Sequence, residues 1–180
     1  MHLVKASDLV GLRKHLADER PEVLDQVRAR LSPELRAVLD KAVASTWLAD
    51  PEICELYEHF AKTLFPGSLS AHTQLGHMMA LNSYRGVYRV FLAIPSTTFV
   101  MKKSASVWAS YHSTGKASME DVQERSAVLV VRGADPICKV MVDIITGHIL
   151  ALAELTQAKS PLVAANVSNS SELRWSIRWK

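Results

Sequence analysis

The hydrophobic pattern of the chain changes its period near Gly115. Before this residue the apolar side chains recur every three or four positions, as in amphipathic helices. After it, segments that alternate between apolar and polar residues predict strands at 117–123, 127–132, 162–167 and 173–179. The last segment alternates most regularly, so one face of the sheet is expected to be dry and the other wet.

Capping residues and prolines mark the starts of most predicted helices. Ser7 and Asp8 can cap a first helix, and Ser32 and Asp50 each precede a proline that suits the first helical position. Further helices are predicted at 21–30, 33–44, 51–64, 70–94, 97–113 and 136–157. The last of these is apolar on most of its circumference and is therefore expected to be the central core helix.

The order of these elements predicts an α+β fold. An N-terminal helical layer should pack on a four-stranded antiparallel sheet, with a long central core helix between the two strand pairs. A chain of 180 residues that is 48% hydrophobic fits a single domain over 1–180. Within it, 1–115 is mostly helical and 116–180 reads strand–strand–helix–strand–strand.

Charge, hydropathy and cysteine content exclude several classes of function. The net charge of +3 is scattered, so nucleic acid binding is not indicated. The most apolar stretch, 140–155, is shorter than the about 20 residues that span a bilayer. With no signal peptide at the start, the sequence predicts a cytoplasmic protein without a membrane span. Cys54 and Cys138 have no metal-binding or redox spacing, which predicts two reduced, buried thiols.

Histidines are the first candidates for metal binding or acid–base chemistry. His72 and His77 are five residues apart and so do not share one helix face, which argues against a metal pair. No nucleophile elbow, phosphate-binding loop or zinc motif is present in the sequence. We therefore predict no metal site, no catalytic residue and no enzymatic activity. An enzyme would need His148 with Asp143, or His112 near Tyr111.

Methionines and aromatic residues concentrate on the two helices over 70–113. Such side chains line adaptable apolar pockets, although they also fill ordinary cores. The sequence predicts a pocket between these helices and the sheet for a small apolar or acyl ligand, with Arg85 or a tyrosine hydroxyl orienting a polar head group. The predicted ligand-binding residues are Met78, Arg85, Tyr88, Phe91, Trp108 and Tyr111.

Three segments carry a family resemblance: 85–92, 108–116 and the closing 177–179. In order and spacing they resemble an uncharacterised family of myxobacterial proteins of about this length. That family is similar to the superfold of 4-vinyl reductase small-molecule-binding domains, haem nitric-oxide-binding domains and Golgi transport-particle subunits. The resemblance implies a helical layer on a four-stranded antiparallel sheet, an apolar ligand or acyl chain between them, and dimers.

One motif bears on the cofactor that the resemblance implies. The haem-binding group carries Tyr-x-Ser-x-Arg, and the segment from Tyr111 to Gly115 matches its tyrosine and serine but has glycine in place of arginine. Haem is therefore disfavoured at this stage, and the cofactor is left unknown.

The leading hypothesis is a non-catalytic small-molecule-binding or sensory module that forms a homodimer. The alternative is a dimerisation or docking scaffold with a solid core that binds a protein signalling partner. An enzyme or a haem-based sensor is the third reading.

Overall fold

The computed structural model describes residues 1–84, 97–156, 158–169 and 172–180, and in these residues it contains seven helices and six strands. The helices are α1 Ser7–Glu19, α2 Pro21–Arg30, α3 Pro33–Lys41, α4 Asp50–Leu64, α5 Ala71–Tyr84, α6 Thr97–Tyr111 and α7 Lys139–Leu155. The strands are β1 Leu3–Lys5, β2 Trp47–Ala49, β3 Lys116–Glu120, β4 Ser126–Arg132, β5 Leu162–Asn169 and β6 Glu172–Arg178.

The starts of α2 and α3 confirm the proline and capping signals. Each helix has proline in its first turn, and the Ser32 hydroxyl accepts a hydrogen bond from the Leu35 N–H at 3.2 Å. Helix α7 begins at Lys139 rather than at 136, with Cys138 as its N-cap. The predicted extension of the helix at 70–94 beyond Tyr84 lies outside the described residues.

The second half of the chain contains a four-stranded antiparallel sheet, with its strands in the order β3–β4–β6–β5. Strand β3 is at an edge of this sheet and β4 is internal. On β6, Leu173, Trp175 and Ile177 are buried while the residues between them are more exposed. The α+β fold class and the single dry face of the sheet are confirmed.

Two short strands, β1 and β2, were not predicted from the sequence. They pair antiparallel, with Leu3 opposite Ala49, and Val4 also forms a β-bridge to His112. Each strand is three residues long, which is too short for an alternating pattern to be recognised. They attach the N-terminus to the end of α6.

Helix α7 lies between α5 and the sheet, where the sequence predicted a ligand pocket. It packs on β5 on one side and crosses α5 on the other, where Gly76 faces Gly147. A Cβ atom on Gly76 would lie 2.1 Å from the Ile144 carbonyl oxygen, and one on Gly147 would lie 2.1 Å from the Thr73 carbonyl oxygen. The backbones of α5 and α7 are therefore in direct contact, and no cavity separates them at this crossing.

The prediction of two reduced thiols is wrong for this structure. Cys54 on α4 and Cys138 at the start of α7 form a disulfide across a sequence separation of 84 residues. Sequence spacing gave no sign of it, because the packing of α7 against α4 brings the two residues together.

The open face of the sheet carries an alternating charge network, which comprises Glu120, Arg132, Glu172 and Arg174. Arg132 forms ion pairs with Glu120 and with Glu172, the latter at 2.7 Å, and Arg174 lies 3.5 Å from Glu120. The neighbouring guanidinium groups lower the pKa of both glutamates. This network spans β3, β4 and β6.

None of the helices among the described residues is long and apolar enough to span a membrane.

Candidate functional site

An ion pair between Asp8 and His148 joins the first turn of α1 to the middle of α7. The Asp8 Oδ2 atom lies 3.3 Å from the His148 Nε2 atom, and the two side chains are 20% and 22% exposed. The Nε2 atom itself is buried and makes no well-oriented hydrogen bond within the described part of the chain. The other ring nitrogen, Nδ1, lies 2.9 Å from the Ile144 carbonyl oxygen, to which it donates. One histidine nitrogen is thus fixed by the backbone, and the other faces α1.

The pKa values of the pair move apart. Burial alone would raise the pKa of Asp8, but the contact with His148 and a weaker one with Ser83 outweigh burial and lower it. Burial alone would lower the pKa of His148, but Asp8 and the Ile144 carbonyl outweigh burial and raise it. The pair therefore favours aspartate and imidazolium.

Further polar groups lie around this pair. The Ser83 hydroxyl, in the last turn of α5, donates to Asp8 Oδ1 at 3.4 Å. The Asn82 Nδ2 and Ser7 Oγ atoms are buried and have no hydrogen-bond partner among the residues that the structure describes. Burial raises the pKa of Tyr57 well above its ordinary value, and the Asp8 charge adds to this effect. Buried polar atoms without partners are rare in folded proteins and often mark a site for a ligand or for water.

A second histidine pair lies where β1 meets the end of α6. His2 Nε2 is 3.0 Å from His112 Nδ1, and His2 Nδ1 is 2.8 Å from the Thr114 hydroxyl. The ring of His112 stacks on Trp108 with ring centroids 3.8 Å apart, and the Trp108 Nε1–H donates to the Thr114 carbonyl at 2.9 Å.

Both of these histidines are held neutral. Burial lowers the pKa of His112 to about 3, and repulsion from the protonated forms of His2 and His148 contributes to this shift. Burial also lowers the pKa of His2. Because the two rings share one hydrogen bond, one of them must donate and the other accept. This arrangement fixes the loop after α6 against β1.

A cleft of about 570 Å³ opens between α1 and the end of α5. Its lining is Gly11, Lys14, His15, Asp18, Glu19, Asn82 and Ser83. Ser83 connects the cleft to the ion pair, since it contacts Asp8. Volumes of this order accommodate small ligands.

The structure describes the side chains of three of the six predicted ligand-binding residues. Met78 is partly buried on α5, Trp108 is buried on α6, and Tyr111 is partly exposed at the end of α6. None of these three lines the cleft. Arg85, Tyr88 and Phe91 lie outside the described residues, so this set stays a prediction.

Other histidines named by the sequence have separate partners. His72 pairs with Glu58, and His77 lies 2.7 Å from Glu154. The proposed pairing of His148 with Asp143 is wrong, because Asp143 pairs with Lys139 at 2.7 Å and His148 pairs with Asp8.

Sequence analysis missed Asp8 and Ser83 as site residues. The sequence pattern predicts Asp8 as a capping residue, whereas the N-cap of α1 is Ala6 and makes no side-chain cap hydrogen bond. A usable signal was present, because Asp8 is four residues before Leu12 and so shares its buried helix face. An aspartate on the apolar face of one helix and a histidine on the apolar face of another can form a buried ion pair, as Asp8 and His148 do.

Comparison by sequence gives no relative for this chain. No protein family matches it, and no curated protein matches it.

Comparison by structure does find similar folds. The ferrous, unliganded H-NOX protein of K. algicida has a TM-score of 0.67 and 11% identity, with 98% of this chain and 96% of that chain covered. The S. oneidensis H-NOX protein in the Fe(II)NO state has a TM-score of 0.67 and 13% identity, with 98% and 99% covered. The Shewanella woodyi H-NOX in the Fe(II)CO state, bound to IWP-051, has a TM-score of 0.62 and 13% identity, with 96% and 93% covered.

These neighbours overturn the earlier dismissal of haem, because they are domains of the haem nitric-oxide-binding type matched over nearly their whole length. The interpretation against haem depends on Gly115, and the structure gives a packing reason for glycine at this position. Ser113 accepts a hydrogen bond from the Leu3 N–H, and a Cβ on Gly115 would lie 2.9 Å from Val131. This loop holds β1, so its glycine has a packing cause.

The resemblances to 4-vinyl reductase domains, to Golgi transport-particle subunits and to a myxobacterial family stay predictions. What the comparisons establish is that this chain has the fold of the H-NOX proteins.

Proposed function

We propose that this protein is a non-catalytic sensory domain that binds haem beside α1, α5 and α7, with His148 as the ligand to iron. The observation that carries the proposal is the His148 ring, whose Nε2 atom is buried without a well-oriented hydrogen bond while its Nδ1 donates to the Ile144 carbonyl. The H-NOX fold of the chain supports haem as the cofactor.

The chemistry of His148 fits an iron ligand. Histidines that bind metals usually donate their second ring N–H to a carbonyl or carboxylate, which fixes the tautomer and the ring orientation. Histidine is also a common axial ligand of haem. Asp8 lies 3.3 Å from the same Nε2 atom and favours its protonation, so coordination requires both the release of this contact and the loss of the Nε2 proton to solvent.

Two side chains of the neighbouring cleft suit the anionic edges of a ligand. The cleft beside Ser83 carries Lys14 and His15, which can pair with carboxylates such as haem propionates. Asp18 and Glu19 on the same rim restrict where such carboxylates bind.

When bound, ferrous haem supplies an iron atom that takes a diatomic gas. The residues of the chain would hold the haem and transmit a displacement of His148 along α7. Helix α7 connects to the sheet through Thr146, whose hydroxyl accepts a hydrogen bond from the buried Trp175 indole N–H at 3.0 Å. A displacement of α7 would therefore alter this hydrogen bond to β6.

Absorption spectroscopy tests this proposal on the purified chain. Titration with haem should give a Soret band that saturates at one haem per chain. His148→Ala should lose or shift this band, and added imidazole should restore it. His77→Ala, which removes an exposed partner of Glu154 on α5, should leave the band unchanged.

Asp8→Asn separates loss of the ligand from loss of the ion pair. It breaks the same pair but keeps the imidazole, so haem binding should survive. The proposal is wrong if the wild-type chain binds no haem, or if folded His148→Ala shows the wild-type spectrum. If His148→Ala does not fold, as judged by circular dichroism, His148→Gln is measured in its place.

The homodimer, the cytoplasmic location and a signalling partner remain predictions of the sequence.

A further inference from the structure

A buried aspartate lies against the disulfide that joins α4 to α7. Asp50 is 5% exposed, and its Oδ2 atom accepts a hydrogen bond from the Cys138 N–H at 2.9 Å. The second carboxylate oxygen, Oδ1, is buried and finds no hydrogen-bond partner in residues 1–84, 97–156, 158–169 and 172–180. An ionised carboxylate buried without a partner is costly, so this oxygen lacks a compensating donor or cation.

Three ligand atoms converge at this point. One carboxylate oxygen of Asp50 and the sulfur atoms of Cys54 and Cys138 all lie within 4.8 Å of one another. Asp50 and Cys54 are four residues apart and so share one face of α4, and Cys138 approaches that face as the N-cap of α7.

The backbone spacing suits a shared metal ion as well as a disulfide. The Cα atoms of the two cysteines are 6.9 Å apart, at the wide limit for disulfides. Two thiolates on one tetrahedral zinc ion, each bound at about 2.3 Å, lie about 3.8 Å from each other. Separation of the two sulfurs to this distance leaves space between them and Asp50 Oδ1.

We propose that in the reduced protein Asp50, Cys54 and Cys138 bind a thiophilic divalent cation of the zinc type, with a fourth position open to water. A phosphine reductant supplies the two electrons, so that the disulfide and one water molecule give two thiols and a phosphine oxide. The cation then displaces the two thiol protons as it binds. Thiolate and carboxylate ligands with an open position are a usual zinc set.

Cobalt(II) is the probe for this site, because it reports thiolate ligation by its absorption. The full chain is reduced with the phosphine, freed of reductant under anaerobic conditions and titrated with cobalt(II). We expect a thiolate-to-cobalt charge-transfer band and tetrahedral ligand-field bands that saturate at one cobalt per chain. Zinc(II) should displace the cobalt, and the oxidised chain should show no such bands.

Matched variants identify the ligands. Cys138→Ser can still cap α7 and should remove most of the charge-transfer band. Asp50→Asn can still accept the Cys138 N–H bond and should weaken cobalt binding by more than the about 10- to 100-fold typical of outer-shell changes. Glu55→Gln, on the exposed side of α4, should bind as the wild type does.

The proposal is overturned if the reduced chain, with both thiols titratable, shows no thiolate–cobalt band. It is also overturned if Asp50→Asn binds cobalt as tightly as the wild type does. Neither result depends on haem, so this test and that of the proposed function fail independently.

Discussion

Replacement of Gly76 by alanine should strongly destabilise the fold, because the added methyl group has no space at the crossing of α5 and α7. The new Cβ would lie 2.1 Å from the Ile144 carbonyl oxygen, whereas ordinary contacts begin near 3.4 Å. The helices would have to separate by about 1.3 Å, and a gap of that order forfeits about half of the dispersion energy at the contact.

The magnitude follows from two opposing terms. Overpacking of a core costs about 1–3 kcal/mol, and the upper end applies because the atoms met are backbone and cannot rotate away. Alanine in a helix recovers about 1 kcal/mol relative to glycine. The net loss should be about 2 kcal/mol or more in the free energy of unfolding.

Gly11→Ala is the matched control. Gly11 also lies inside a helix, α1, but nothing lies within 4 Å of its added Cβ. The same substitution should therefore stabilise the protein by about 0.5–1 kcal/mol.

Urea denaturation followed by circular dichroism measures both variants. With a slope of about 2 kcal/mol/M, the midpoints of the two variants should differ by about 1.5 M. Gly147→Ala meets the same crossing from the other helix, so the double variant should cost less than the sum of the single ones. Equal midpoint shifts for Gly76→Ala and Gly11→Ala would refute the argument.

Three further predictions concern stability. The pKa of His112 is about 3 in the folded state, whereas the unfolded chain takes up this proton below about pH 6.5. The free energy of unfolding should therefore fall by about 2 kcal/mol from pH 7 to pH 5 because of this residue. A pH series of His112→Phe should lack that part of the slope. Thr146→Val leaves the buried indole N–H of Trp175 without an acceptor and should cost about 1–3 kcal/mol in urea denaturation; a cost near zero would mean that the bond is not formed in solution. Ser32→Ala removes the cap of α3 and should lower the melting temperature by the equivalent of about 0.5–2 kcal/mol, whereas Ser32→Asp should restore most of it.

Local signals in the sequence predicted most of the fold. The alternation at 173–179 predicted the buried face of β6, because side-chain period and solvent contact are linked directly in a strand. Pro21 and Pro33 predicted helix starts because the ring suits the first turn. These signals depend on neighbouring residues only.

Tertiary contacts account for what the sequence analysis missed. The Cys54–Cys138 disulfide and the Asp8–His148 pair join residues that are far apart in the chain, and each member by itself looks ordinary. The position of α7 between α5 and the sheet depends on the facing glycines, and neither helical pattern identifies the other as its partner. Long-range pairs of this kind need the three-dimensional arrangement.

The network of Glu120, Arg132, Glu172 and Arg174 has a consequence for recognition. Two acids and two bases neutralise one another across three strands, so this broad surface attracts neither an anionic nor a cationic molecule from a distance. A protein that approached it would have to dehydrate paired charges and would gain little in return. Association with other macromolecules should therefore favour the helical side of the molecule.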